Sequence, residues 1–161
     1  MIDNEGIIHG DIKPTNILIF QSDSDRYVAK VADFGYSTLF ASNNELVKMP
    51  RSLYWVAPEW HHRGFTTEYA MKMDVYSFGM LCLWLLFYNT VEGNTTRDFY
   101  NHLNSMEIAL VLAHQSIAAM TGLDDQRIHG FNQLFNLTLA KNPAERSLDF
   151  NQLIPLFAPQ R

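Results

Sequence analysis

Apolar and polar positions follow two regimes along the chain. Near the start, "NILIF" and "RYVAKVA" are short apolar runs rich in Ile and Val, separated by the polar cluster "QSDSD". That pattern predicts two small strands joined as a hairpin. A long irregular stretch follows, from Asp33 to about Pro58, holding "ASNNE" and Pro50. A loop of that length inside a compact domain is usually functional or disordered. From about Glu68 the pattern turns helical. "MDVYSFGMLCLWLLFY" is apolar nearly all round, as a helix enclosed by protein is, and Asp74 is placed to cap its start. Thr95 or Thr96 opens a short helix through "RDFYNHLN", and Ser105, Ile108, Leu112 and Ile117 mark another. Ile128, Phe131, Phe135 and Leu139 keep helical spacing up to Asn142-Pro143. Ser147 is placed to cap a last helix carrying Phe150, Leu153 and Ile154, which Pro155 limits. The expected fold class is mainly α with a small β-hairpin near its start.

Composition narrows the picture. The 161 residues suit one domain, and 47% hydrophobic with 18% charged residues is an ordinary globular balance. A net charge of −5 argues against a large nucleic-acid footprint. The single cysteine, Cys82, excludes an internal disulfide framework and sits in an apolar run as a small buried hydrophobe. "MIDNEG" lacks the basic start of a signal peptide, and "MLCLWLLFY" is too short to span a bilayer. A cytoplasmic protein with no membrane segment in this chain is expected. The sequons at Asn94 and Asn136 then read as chance, and His61-His62 lacks the neighbours of a metal site.

The candidate chemistry lies in "IIHGDIKPTNILIF". Asp11 and Asn16 share a tight turn that Pro14 helps to fix. Asp33, in "ADFG", ends the second strand of the hairpin, and a hairpin folds its ends together. Asp33 is therefore expected to return beside Asn16, where one carboxylate and one amide oxygen suit Mg²⁺. Asp11 remains free to orient a hydroxyl, and Lys13 is a compact cation for a phosphoryl group. These parts serve phosphoryl transfer, where positioning and charge stabilisation dominate.

Here the chain resembles the protein kinases of the eukaryotic type. "HGDIKPTN" matches the family's catalytic loop in its Ser/Thr form, and "DFG" at Asp33 to Gly35 matches its magnesium loop. "APE" at Ala57 to Glu59, "DVYSFG" at Asp74 to Gly79 and "NPAERS" follow in the family's order. At ~5% usage per residue, matching His9, Asp11, Lys13, Pro14 and Asn16 has odds of roughly three in ten million per start position.

The resemblance implies a kinase domain whose catalytic loop is 9–16, activation segment 33–59 and helical subdomain 60–157. It implies ATP and Mg²⁺ as cofactors and Ser/Thr of a protein as substrate. Asp11 would accept or orient the hydroxyl, Lys13 would contact the transferred phosphate, and Asn16 and Asp33 would hold the metal. Leu18 would underlie the adenine, supported by Leu81 and Leu85. Ser52 would meet Asp11 and Lys13. His9 and Phe34 would stack in the core beneath the site, Asp74 would bind backbone near His9, and Glu59 would pair with Arg146.

Three features depart from the family. Gly10 stands where an arginine usually lets a loop phosphate organise the site, so this loop is expected not to be switched by phosphorylation in the common way. Only "MIDNEGII" precedes the loop, and the eight glycines form no G-x-G-x-x-G. Val28-Ala29-Lys30 imitates the ATP-lysine signature, but its place directly before DFG makes Lys30 a solvated strand lysine. The chain thus looks like the C-terminal lobe alone, with the N-terminal lobe expected in cis and the isolated fragment inactive. Its apolar lobe-facing surface is then expected to be exposed.

Two other readings remain. A kinase-like lobe can serve as a non-catalytic binding or regulatory module. Residues 89–104 occupy the place where the resembling kinases vary most and often dock partners. "HGD" with Asn16 is also similar to the aminoglycoside and choline phosphotransferases. Lys13, Ala57-Pro58-Glu59 and Arg146 favour a protein kinase over these.

Overall fold

The computed structural model describes residues 7–22, 26–39, 46–87 and 109–152. Three helices carry the core: α1 (Thr67–Phe87), α2 (Ala109–Ala119) and α3 (Asp125–Thr138). Helix α1 is central, with Met73, Val75, Tyr76, Met80 and Leu83 fully buried. Ala109, Ala113 and Ile117 of α2 and Leu134 and Phe135 of α3 complete this cluster, and Ile8 and Ile12 join it from the N-terminal loop. The loop that carries the candidate chemistry is therefore seated on the main core.

The hairpin forms as β2 (Ile17–Gln21) and β3 (Tyr27–Val31), antiparallel, in register from Ile17 opposite Val31 to Gln21 opposite Tyr27. Leu18, Ile19, Phe20, Tyr27 and Val28 are between 43% and 74% exposed, so the hairpin presents apolar side chains to solvent. A second ladder pairs β1 (Ile7–Ile8) with β4 (Thr38–Leu39). The sequence pattern leaves residues 38 and 39 in an irregular loop, because two residues are too few to show a period.

Other departures are local. Asp74 lies inside α1 and caps nothing; its carboxylate serves the N-terminal loop instead. Leu85 is 63% exposed, so the C-terminal part of α1 reaches the surface and is not enclosed. Asp124 is the N-cap of α3, its carboxylate accepting from the Arg127 N–H at 2.8 Å, and the helix stops at Thr138. Ser147 accepts from the Asp149 N–H at 3.1 Å, but the segment Phe150–Gln152 is a single 3₁₀ turn. The short helix expected after Thr95, the start expected at Ser105, and Leu153 to Pro155 lie outside the described residues. Among the described residues no helix is long and apolar enough to cross a membrane.

Gly79 fixes how closely α1 and α3 approach. A Cβ there would stand 2.7 Å from Thr138 Cβ and 2.9 Å from Leu139 Cδ2. Both neighbours are buried and have no room to retreat. Gly79→Ala is expected to cost about 1–3 kcal/mol by overpacking. A urea midpoint equal to that of the parent chain would show that the two helices can part freely.

Candidate functional site

The site grows out of β1. After Ile8 the chain enters the loop 9–16, and Pro14 starts a 3₁₀ turn over Pro14–Asn16 with its ring at the first helical position. The Asn16 N–H bonds the Lys13 carbonyl at 3.0 Å. This turn puts Asp11, Lys13 and Asn16 on one small surface.

Asp11 is buried yet fully engaged. Lys13 Nζ is 2.6 Å from its Oδ2, and Asn16 Nδ2 donates to the same oxygen at 3.0 Å. Ser52 Oγ donates to Oδ1. A carboxylate offers about four lone-pair positions, two on each oxygen. Two are filled on Oδ2 and one on Oδ1, which leaves one acceptor position on Oδ1, beside Ser52. Burial would push the Asp11 carboxyl up, but the hydrogen bonds from Lys13, Ser52 and Asn16 and the Lys13 charge outweigh it. Its pKa is held below the ordinary value.

Asn16 also donates through Nδ2 to the Asp11 carbonyl at 2.8 Å. Both of its donations use the amide nitrogen, so Oδ1 is the end left for a cation. The Asn16 carbonyl accepts the Ala32 N–H at 2.8 Å, which brings the next residue, Asp33, beside the turn. Asp33 is exposed and has φ 63°, the left-handed region that Asp tolerates better than most residues. Its Oδ1 accepts the Gly35 N–H at 3.3 Å. The donor set is hard oxygen, which fits Mg²⁺.

A buried carboxylate under the loop holds it in place. Asp74, within α1, accepts the His9 N–H at 2.6 Å and the Gly10 N–H at 3.0 Å. Its pKa is pushed up to about 6: burial raises it most, the two N–H donors lower it, and the charge of Asp11 raises it again. His9 is itself a node. Its Nδ1 accepts the Asp11 N–H at 3.2 Å, which places the proton on Nε2, facing the Ala32 carbonyl at 3.1 Å. Phe34 meets the His9 ring edge-on at 5.0 Å, but is half exposed, so the pair does not lie wholly in the core. Leu18 is on the half-exposed hairpin and Leu81 is buried, whereas Leu85 points to solvent.

The second anchor is Arg146, 2% exposed. Its guanidinium grips Glu59 with two bonds, Nη1 to Oε1 at 2.5 Å and Nη2 to Oε2 at 2.9 Å. It also donates to the Ala140 carbonyl and lies 4.8 Å from the centre of the Tyr76 ring. Lys72 Nζ in turn donates to the Arg146 carbonyl at 2.9 Å.

Several participants were invisible in the sequence. Ser37 Oγ donates to the His9 carbonyl, and Ser77 Oγ to the Trp55 carbonyl. Tyr54 has φ 80°, a conformation rare for a bulky residue, which no residue type at that position announced. His61 stacks on Phe65, and its Nδ1 accepts the Arg63 N–H, which gives this histidine a structural contact. The cavity beneath Asp11, about 10 Å³ and lined by Gly10, Met49, Ser52 and Ser77 among others, has room for one water molecule.

Comparison with known proteins gives consistent findings. The model of the protein kinase domain matches residues 1–154. The chain is similar to the serine/threonine-protein kinase Tao of Drosophila melanogaster, 32% identical over 141 residues, 88% of this chain and 12% of that protein. It is similar to a probable serine/threonine-protein kinase of Dictyostelium discoideum, 33% identical over 112 residues, 70% of this chain and 11% of that protein. It is also similar to CDPK-related kinase 4 of Arabidopsis thaliana, 38% identical over 90 residues, 55% of this chain and 15% of that protein. The matched region is thus 11–15% of the length of these relatives.

The two anchors give two expected outcomes. Arg146→Ala strips Glu59 of its partner and leaves buried carbonyls bare; a loss of about 3–5 kcal/mol and a sharply lower Tm are expected. An unchanged melt would refute the pairing. For Asp74, a folded pKa above the ordinary 3.8 means the fold takes up a proton between about pH 6 and 4. Its contribution to stability is full below about pH 4 and is lost as pH rises through about 6. Asp11 has the opposite sign: its contribution is present above the ordinary value and is lost as pH falls through its lowered pKa. A carboxyl ¹³C NMR titration should show Asp74 protonating near pH 6 while Asp11 stays ionised. An Asp74 midpoint below about 4 would contradict this.

Proposed function

The chain belongs to the protein kinase family, and on that premise we propose that it is the C-terminal lobe of an ATP-dependent Ser/Thr protein kinase. The observation that carries this reading is the environment of Asp11: a buried, ionised carboxylate met by Lys13, Ser52 and Asn16 with one acceptor position left over. In this proposal the catalytic loop is 9–16, the activation segment 33–59 and the helical subdomain 60–157.

The incoming Ser or Thr hydroxyl donates to the remaining lone pair of Asp11 Oδ1. That single position fixes the hydroxyl's direction, and orientation is where such sites gain most. A pKa below the ordinary range makes Asp11 a weak base at pH 7 but keeps it ionised. Its first task is therefore to aim the hydroxyl; as the new oxygen–phosphorus bond forms, the bond from the γ-phosphorus to the bridging oxygen breaks, ADP leaves, and Asp11 takes the hydroxyl proton. Lys13, held at Asp11 by its ion pair, supplies positive charge where the transferred group passes. Asn16 Oδ1 and the Asp33 carboxylate would hold Mg²⁺, which when bound neutralises phosphate charge. Leu18, on the exposed hairpin, is assigned to the adenine face, and the rest of the nucleotide cover is assigned to an N-terminal lobe in cis. The Lys13 form of the loop supports Ser/Thr specificity. The grip of Arg146 on Glu59 supports a protein kinase over a small-molecule phosphotransferase.

A second reading is a kinase-like binding module without transfer activity, and the apolar residues exposed on the hairpin are compatible with both. Titration with ATP and Mg²⁺ separates the two. The 161 residues alone are expected to show no appreciable kinase activity; steady phosphorylation of a Ser/Thr substrate by this chain would overturn that. In a longer chain that supplies a glycine-rich lobe, Asp11→Asn should lower kcat by about 10²–10⁴ in the fraction that remains folded. Full activity in that variant would remove Asp11 from the mechanism.

A further inference from the structure

Residues 46–66 carry Lys48, Arg51 and Arg63 and one carboxylate beyond Leu46, Glu59. Arg146 occupies Glu59, so this segment is locally cationic on a chain whose net charge is −5. All three cations are exposed, and among the described residues none has a carboxylate within ion-pair distance.

The fold gathers them. Val47 and Phe65 exchange both backbone hydrogen bonds, at 2.7 and 2.9 Å, so Lys48 and Arg63 flank one short bridge. Arg51 is held over the Trp60 ring at 5.6 Å, and Trp60 is itself fixed by its Nε1 donating to the Met49 carbonyl at 3.0 Å. The residue after Arg51 is Ser52, whose hydroxyl touches Asp11. A cation is thus placed one residue from the group that borders the open acceptor position, on a segment, 46–66, whose one carboxylate is held by Arg146.

We propose that this wall selects protein substrates with anionic side chains, acidic or phosphorylated, beside the acceptor hydroxyl. The proposal rests on the assignment of Asp11 as the group that orients that hydroxyl. Single exposed charge pairs contribute little, but an extended anionic peptide meets three cations, and a basic one meets like charge. The preference must also weaken with salt, because these groups are exposed to solvent.

The test reads binding, so it does not depend on turnover. Labelled serine peptides with Asp/Glu, phosphoserine, Ala or Lys flanks are titrated with the 161-residue chain by fluorescence anisotropy, beside a single-stranded oligonucleotide of matched charge. Anionic peptides are expected to bind about fivefold or more tighter than neutral ones at low salt, with NMR shifts centred on residues 46–66 and the loop 9–16. The phosphoserine arm shows whether phosphate or carboxylate is preferred. Arg51→Glu and Arg63→Glu should each erode the preference, and Arg51→Lys should retain it. Arg127→Glu, the same change of charge on α3, should not affect it. Arg63→Glu carries the test should Arg51→Glu unfold the chain. Equal binding of acidic and lysine peptides, equal damage from Arg127→Glu, or tighter binding of the oligonucleotide would overturn the proposal. If acidic peptides bind here while no longer form of the chain transfers phosphate, the wall stands and the kinase reading falls. Efficient phosphorylation of lysine-flanked peptides over acidic ones would do the reverse.

Discussion

The Asp74 carboxylate is the constraint on which the rest depends. It is buried inside the central helix, where an ionised group is costly, and it is retained because two backbone N–H groups point at it. Those groups belong to His9 and Gly10, the residues immediately before Asp11. The bond therefore transmits the rigidity of the best-packed helix to the least regular segment. Ile8 and Ile12 also seat the loop, but burial of aliphatic side chains does not set direction; the polar contacts made by Asp74, Ser37 and Ser52 do. Hydrogen bonds of this kind decide which way Asp11 faces.

Two carboxylates then sit close enough to feel each other and respond in opposite ways. Both are buried, but Asp74 has only neutral donors, so desolvation prevails and its pKa rises; Asp11 has a lysine and two further donors, so its pKa falls. Below about pH 6 the charge therefore stays on Asp11, the member with an open lone pair. Divergent environments for neighbouring acids are a common sign of a division of labour. Here one acid fixes the backbone of the loop and the other gathers Lys13, Asn16 and Ser52.

How much of this was legible in the sequence depends on the range of the interaction. The hairpin was readable because Ile and Val cluster on both sides of a polar turn. The loop 9–16 was readable because Asp11, Lys13, Pro14 and Asn16 fall at spacings that few folds require. Arg146 and Glu59 were readable only through resemblance, since 87 residues separate them and neither has a local signature. Strand β4 was hidden because it is two residues long. Tyr54 was hidden because its backbone angle is imposed by what surrounds it. Asp before an apolar run commonly caps, which made Asp74 look like a cap, whereas tertiary contact recruits its carboxylate elsewhere. The Asp124 cap carries a local signal and was legible in principle. Exposure of Phe34 and Leu85 was not readable, because sequence gives polarity and not what covers a residue.

Gly10 brings these threads together. Its φ is 81°, and a Cβ there would meet the Tyr36 carbonyl oxygen at 3.2 Å and the Pro50 Cδ at 3.6 Å. An L side chain in that conformation carries a penalty of about 1–2 kcal/mol before any contact is counted. Glycine lets the backbone turn so that both N–H groups reach Asp74 and the loop packs against residues 36 and 50. The same substitution removes the cation that resembling kinases place beside the catalytic aspartate. The order of this loop comes in part from a buried carboxyl that accepts the His9 and Gly10 N–H groups, a contact that involves no phosphate. Positive charge is then supplied by Lys13 within the loop and by Arg51 beside Ser52. Lys13 touches Asp11 and Arg51 adjoins the serine that does, so both cations lie within one residue of the contacts that converge on this carboxylate.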